Sequence, residues 1–124
     1  MAEMRGFIPD GYTISGYIKP SEEWHYPALK FEYRPMVQHE RAKIMERITN
    51  AKDAEASERV AHKIIAGRLI SWNLESEGNP VTLSESNVAR LEMHLSGRLL
   101  EIVMGYEPDD SADEVDEEDT DSEN

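Results

Sequence analysis

The chain reads as an α+β domain. A two- or three-stranded antiparallel sheet packs with three to four α-helices, and a disordered acidic C-terminal tail follows. Three observations predict this. Leu29, Phe31 and Tyr33 alternate with Lys30, Glu32 and Arg34, the period of a strand with one buried face. Several other stretches repeat apolar residues every three or four positions, as a helix packed on one side does. From Glu107 to Asn124 there is no apolar pattern and no basic residue.

Residues 1–11 read as a loose lead-in whose Phe7 and Ile8 are free to dock on the domain. A first strand covers Tyr12–Ile18, with Gly16 marking a bulge or slip. Lys19–Pro27 is a loop with prolines at 20 and 27 that carries Trp24, His25 and Tyr26. A second strand over Ala28–Tyr33 lies near enough to pair with the first as a hairpin. Pro35 ends that strand and can open a helix, because a first turn does not need its N–H.

The first helix spans about Gln38–Asn50 and carries Ile44, Met45 and Ile48. Asp53 is a candidate N-cap for a second helix, about Ala54–Gly67, or the first helix runs through the break. The second helix buries Ala56, Val60, Ala61, Ile64 and Ile65, and Gly67 suits its end. Ile70, Trp72 and Leu74 alternate with Ser71 and Asn73 as a third strand, and Gly78-Asn79-Pro80 signals a turn. Thr82 and Glu85 form a capping box, so a helix begins near Leu83. Val88, Leu91, Leu95, Leu99, Ile102 and Val103 mark its apolar face. It runs to Gly105 in one piece or breaks near Leu95-Ser96-Gly97. The division expected is therefore 1–11 lead-in, 12–106 single domain and 107–124 tail.

Composition narrows the function classes. There is no cysteine, which excludes a disulfide scaffold and thiol chemistry and fits a reducing cytosol. No run approaches the roughly 20 apolar residues of a membrane helix. The N-terminus lacks the apolar core of a secretory signal, so a cytoplasmic protein is expected. The chain has 26 acidic and 13 basic residues, a net charge of −13. Eleven of the acidic residues and none of the basic ones lie in 107–124, which leaves −2 for residues 1–106. No basic stripe exists for a nucleic-acid backbone.

No catalytic constellation is present. His25, His39, His62 and His94 show no zinc-ligand spacing, and His39-Glu40 does not begin an H-E-x-x-H motif. There is no nucleophile elbow, dinucleotide fingerprint, P-loop or EF-hand loop. The expectation is a non-enzymatic protein with no cofactor and no metal. Trp24 and Tyr26, on a proline-flanked loop, are candidates for partner binding. So are Met93, Leu100 and Met104, which lie off the main stripe of the last helix. The alternative for those three is completion of the core.

An ordered set of short segments resembles the tail assembly chaperones of long-tailed phages and prophages. It comprises Phe31-Glu32-Tyr33-Arg34-Pro35, a helix with Glu40-Arg41, Ile70-Ser71-Trp72-Asn73-Leu74, Gly78-Asn79-Pro80-Val81 and a leucine-patterned helix ending Ile102-Val103-Met104-Gly105. The resemblance covers about Leu29–Tyr106. The Tyr12–Ile18 segment and the Trp24 loop have no counterpart in the family pattern. The resemblance implies a protein of the host cytoplasm that coats the aggregation-prone tape measure protein and helps recruit tail-tube subunits. Protein partners and a homo-oligomer are the assemblies it leaves open. The competing class is a small acidic adaptor or inhibitor that binds a basic protein through its tail.

Overall fold

The computed structural model describes residues 6–113. The elements in chain order are β1 (Ile14–Ile18), β2 (Leu29–Tyr33), α1 (Gln38–Thr49), α2 (Ala54–Arg68), β3 (Leu69–Trp72), β4 (Glu75–Ser76), β5 (Asn79–Pro80), α3 (Glu85–Val88) and α4 (Met93–Val103). The order β1-β2-β3 forms an antiparallel sheet, and β4 and β5 make a separate two-stranded hairpin. One face of the sheet contributes Ile18, Leu29, Phe31 and Tyr33 to a core completed by Ile64, Ile65 and the buried face of α4. The α+β class expected from the sequence is the one observed.

β1 and β2 pair without interruption, Gly16 lying opposite Phe31. The bulge expected at Gly16 is absent, and the glycine is there for another reason. A Cβ at residue 16 would sit 2.5 Å from two atoms of the Phe31 ring, so the bare backbone makes room for the aromatic side chain. The hairpin also closes more tightly than its loop length implies. Ser21 and Tyr26 exchange backbone hydrogen bonds of 3.0 and 3.1 Å, and the Ser21 hydroxyl accepts from Trp24 N–H.

The bulge lies in β3. Phe31 faces Trp72 and Tyr33 faces Leu69, with a register shift between them. The extra residue is Ile70, which is exposed, and Leu69 is buried in its place. This corrects the expectation that Ile70 shares Trp72's inward face. Trp72 is half-buried against the core, and its indole N–H donates to Val81 O at 2.7 Å. That bond and Val81 N–H to Leu74 O fold the β4–β5 hairpin back on the sheet.

Asp53 caps α2, its carboxylate accepting from Ala56 N–H at 2.7 Å. Pro35 does not open α1; Val37 is the N-cap, and Glu40 reaches back to accept from its N–H. Arg68 at the end of α2 pairs with Glu40 at 2.6 Å, which joins the two helices.

The C-terminal helix is broken, but earlier than the break expected near Leu95-Ser96-Gly97. Ser84 rather than Thr82 caps α3, accepting from Asn87 N–H. The chain then turns through residues 89–92, and Glu92 caps α4 by accepting from His94 and Leu95 N–H. Gly105, at φ 81°, ends α4. Its N–H reaches Ile102 O and that of Tyr106 reaches Glu101 O, the paired bonds of a Schellman motif.

The described chain continues past Tyr106. Residues 107–113 lie along the outer edge of β1, where Asp110 N–H donates to Tyr17 O at 2.8 Å. Residues 107–113, expected in the tail, are thus bonded to the domain. The rest of the expected tail, 114–124, lies outside the described residues, as do residues 1–5 of the lead-in. Phe7 and Ile8 are described, and they are exposed rather than docked on the core. Among the described residues no helix is long and apolar enough to cross a membrane.

Candidate functional site, a groove between α2 and α4

Breaking the last helix has a structural consequence. The connection at residues 89–92 holds Leu91 at the surface, half-buried, between two depressions. The first runs between α2 and α4. Glu58, Ala61 and His62 line it from α2, and Met93, Ser96, Gly97 and Leu100 from α4. Ala61 is small and Gly97, which is exposed, has no side chain, so little bulk fills it at those positions. A Cβ added at Gly97 would meet no atom within 4 Å. Met93 stands at the lip, 71% exposed, while Leu100 is half-buried against the core. A depression bounded by two helices and lined in part by apolar side chains offers a place for the apolar face of a third helix.

The second depression lies on the other side of Leu91. Tyr26, Leu74, Val81 and Leu95 supply its apolar lining, with Asn87, Arg90 and Glu92 at its rim. The Tyr26 hydroxyl is pushed above its ordinary pKa by burial first, then by the nearby charges of Glu92 and Asp110. It therefore remains a neutral donor and acceptor at physiological pH.

Trp24 reaches this region from the β1–β2 loop. Its ring stacks on His94, with centroids 3.5 Å apart and planes 15° from parallel. His94 Nδ1 is hydrogen-bonded to Glu92 at 2.8 Å. Burial by itself would raise the Glu92 carboxyl. The His94 ring and the N–H groups of Leu95 and His94 outweigh it and hold the carboxyl below its usual range. One carboxylate thus starts α4 and orients the ring on which Trp24 rests. His25, next to Trp24, takes a left-handed backbone (φ 60°), which turns the loop over.

The five expected partner-binding residues therefore separate. Met93 and Leu100 line the α2–α4 groove, and Tyr26 lines the second depression. Trp24 is exposed beside them. Met104 is not a surface residue; it is 2% exposed and belongs to the core. Met104 still has helical φ and ψ and its N–H bonds to Leu100 O, so its side chain keeps the helical direction; it is buried because the side of α4 it faces is packed into the core rather than left open. The Met104 carbonyl accepts from Arg41 of α1 at 3.4 Å. Sequence reasoning missed Gly97, whose use is visible only beside Ala61, and Glu92, whose capping role depends on the break. Among the described residues no group of three or more His, Asp or Glu side chains is placed to hold a metal ion.

Comparisons with protein-family models, with curated proteins and with solved structures find no match.

Proposed function

We propose that the protein is a non-enzymatic binding protein that holds an apolar helical segment of a partner in the α2–α4 groove. The activity is that of a phage or prophage tail assembly chaperone acting on the tape measure protein and assisting tail-tube assembly. The observation that carries the proposal is the exposed Met93 sharing one depression with Ala61, Gly97 and Leu100. Methionine adapts its shape to different apolar faces, which suits a partner with many similar helical turns. The resemblance of Leu29–Tyr106 to the chaperone family supplies the choice of partner.

The test is co-expression with a long helical tail protein that aggregates when made alone. The intact chain is expected to keep it soluble and to co-purify with it. A chain ending at Asp113 is expected to do the same in moderate salt, whereas Met93→Asp releases the partner. The proposal fails if capture requires residues 114–124 and disappears with salt, because the acidic tail would then carry the binding.

A further inference from the structure

The segment Glu107–Asp113 is bound as a peptide ligand would be. Asp109 Oδ2 accepts from Tyr17 N–H at 2.9 Å, and Asp110 Oδ2 accepts from Lys19 N–H at 3.0 Å. The carboxylates thus occupy outward-facing donors of an edge strand, where a neighbouring strand would place carbonyls. Arg98 of α4 completes the site: its Nη2 donates to Pro108 O at 2.9 Å and to Asp110 Oδ1 at 2.8 Å. The Lys19 ammonium pairs with Asp113 at 3.3 Å. No residue from 107 to 113 is buried. The segment is held by hydrogen bonds and ion pairs with no buried residue of its own, and such a segment opens locally far more readily than a core does.

The segment also leaves part of the site unused. Arg98 Nη1 is buried without a hydrogen-bond partner, and the Glu101 carboxylate is 3.8 Å away, beyond hydrogen-bond range. A carboxylate that met both guanidinium nitrogens would satisfy it, and such bidentate pairs are the stronger ones. We infer that the β1 edge, with Arg98 and Lys19, is a docking site for an extended acidic segment of a partner protein, and that residues 107–113 are its exchangeable internal occupant. The ligand chemistry is two adjacent carboxylates on an extended backbone, as in Asp109-Asp110. The site is separate from the α2–α4 groove and does not depend on the chaperone reading.

The test uses the full-length chain carrying Asp109→Ala with Asp110→Ala, and a fluorescent peptide with the sequence of residues 107–113. The variant is expected to bind the peptide at least about tenfold more tightly than the unaltered chain. Adding Arg98→Ala should remove the gain, and a peptide with both Asp replaced by Asn should not bind. A folded variant that binds no better than the unaltered chain overturns the inference. Self-association of the variant in place of peptide capture also overturns it, assigning the edge to a second copy. If the double variant does not fold, hydrogen exchange on the unaltered chain decides. The Tyr17 and Lys19 amides should exchange at least about 100-fold faster than those of Leu99 and Val103. Equal rates would mean that the segment leaves only when the domain unfolds, and the site is not exchangeable.

Discussion

Gly16 and Phe31 illustrate how one residue is fixed by its neighbour. Phe31 is buried, so its ring cannot swing away when a methyl group is placed opposite it. Gly16→Ala is therefore expected to cost about 1–3 kcal/mol, the usual range for overpacking, measured by denaturant unfolding. Phe31→Leu in the same chain should recover part of that loss, and independent, additive effects would show that the two residues do not compete for space. Glu40 fixes a pH dependence. Burial by itself raises its carboxyl, but the N–H of Val37 and the Arg68 guanidinium outweigh it and hold the group below the ordinary glutamate range. A lowered folded-state pKa contributes stability that is complete above the ordinary value and is lost as pH falls through the lowered one. Glu40→Gln should accordingly flatten the acid side of the stability profile below about pH 4.5 and not the alkaline side. An unchanged acid limb would show that the Glu40–Arg68 pair does not contribute.

The capped helices were legible in the sequence where the signal is local. Asp53 acts within four residues of itself, and replacing it with Ala should lower stability by about 1 kcal/mol in thermal or chemical unfolding. Gly105 was legible for the same reason, and so was the alternation of Leu29, Phe31 and Tyr33. Elements that depend on a second chain segment were not. Ile70 continues a period-two pattern on paper, yet the bulge against Tyr33 turns it outward and brings Leu69 in. Val88, Leu91, Leu95 and Leu99 keep helical spacing across the break at 89–92, so periodicity gives no sign of it. Of the site, Met93, Leu100, Tyr26 and Trp24 were legible as exposed or off-stripe residues. Met104 lies off the stripe, and only the packed structure shows that its side of α4 is covered. Gly97 became visible only once α2 lay beside α4.

For the molecule as a whole, part of the acidic C-terminal segment belongs to the fold: Asp109 and Asp110 bond to Tyr17, Lys19 and Arg98, and Asp113 pairs with Lys19. Ending the chain at Asp113 should leave the unfolding midpoint within about 1 °C of the intact protein, whereas ending it at Tyr106 should lower it by several degrees, as the loss of about 1 kcal/mol does in a domain of this size. Equal midpoints for the two truncations would show that the segment adds nothing to the fold. Among the described residues, the α2–α4 groove is lined only by residues between 58 and 100. Binding there should consequently be insensitive to the tail.

The measurement that bears most directly on the groove is calorimetric titration of the Gly97→Gln chain with an apolar helical segment of the co-purifying partner. Gly97 lies in α4 with open space above it, so glutamine adds a good helix former without a clash and should hold or raise stability. It also adds bulk to the lining that Gly97 shares with Ala61 and Leu100. The expected result is a chain at least as stable as the unaltered protein that binds the segment at least about tenfold more weakly. Undiminished affinity in that stable chain would contradict the assignment of the groove as the partner site.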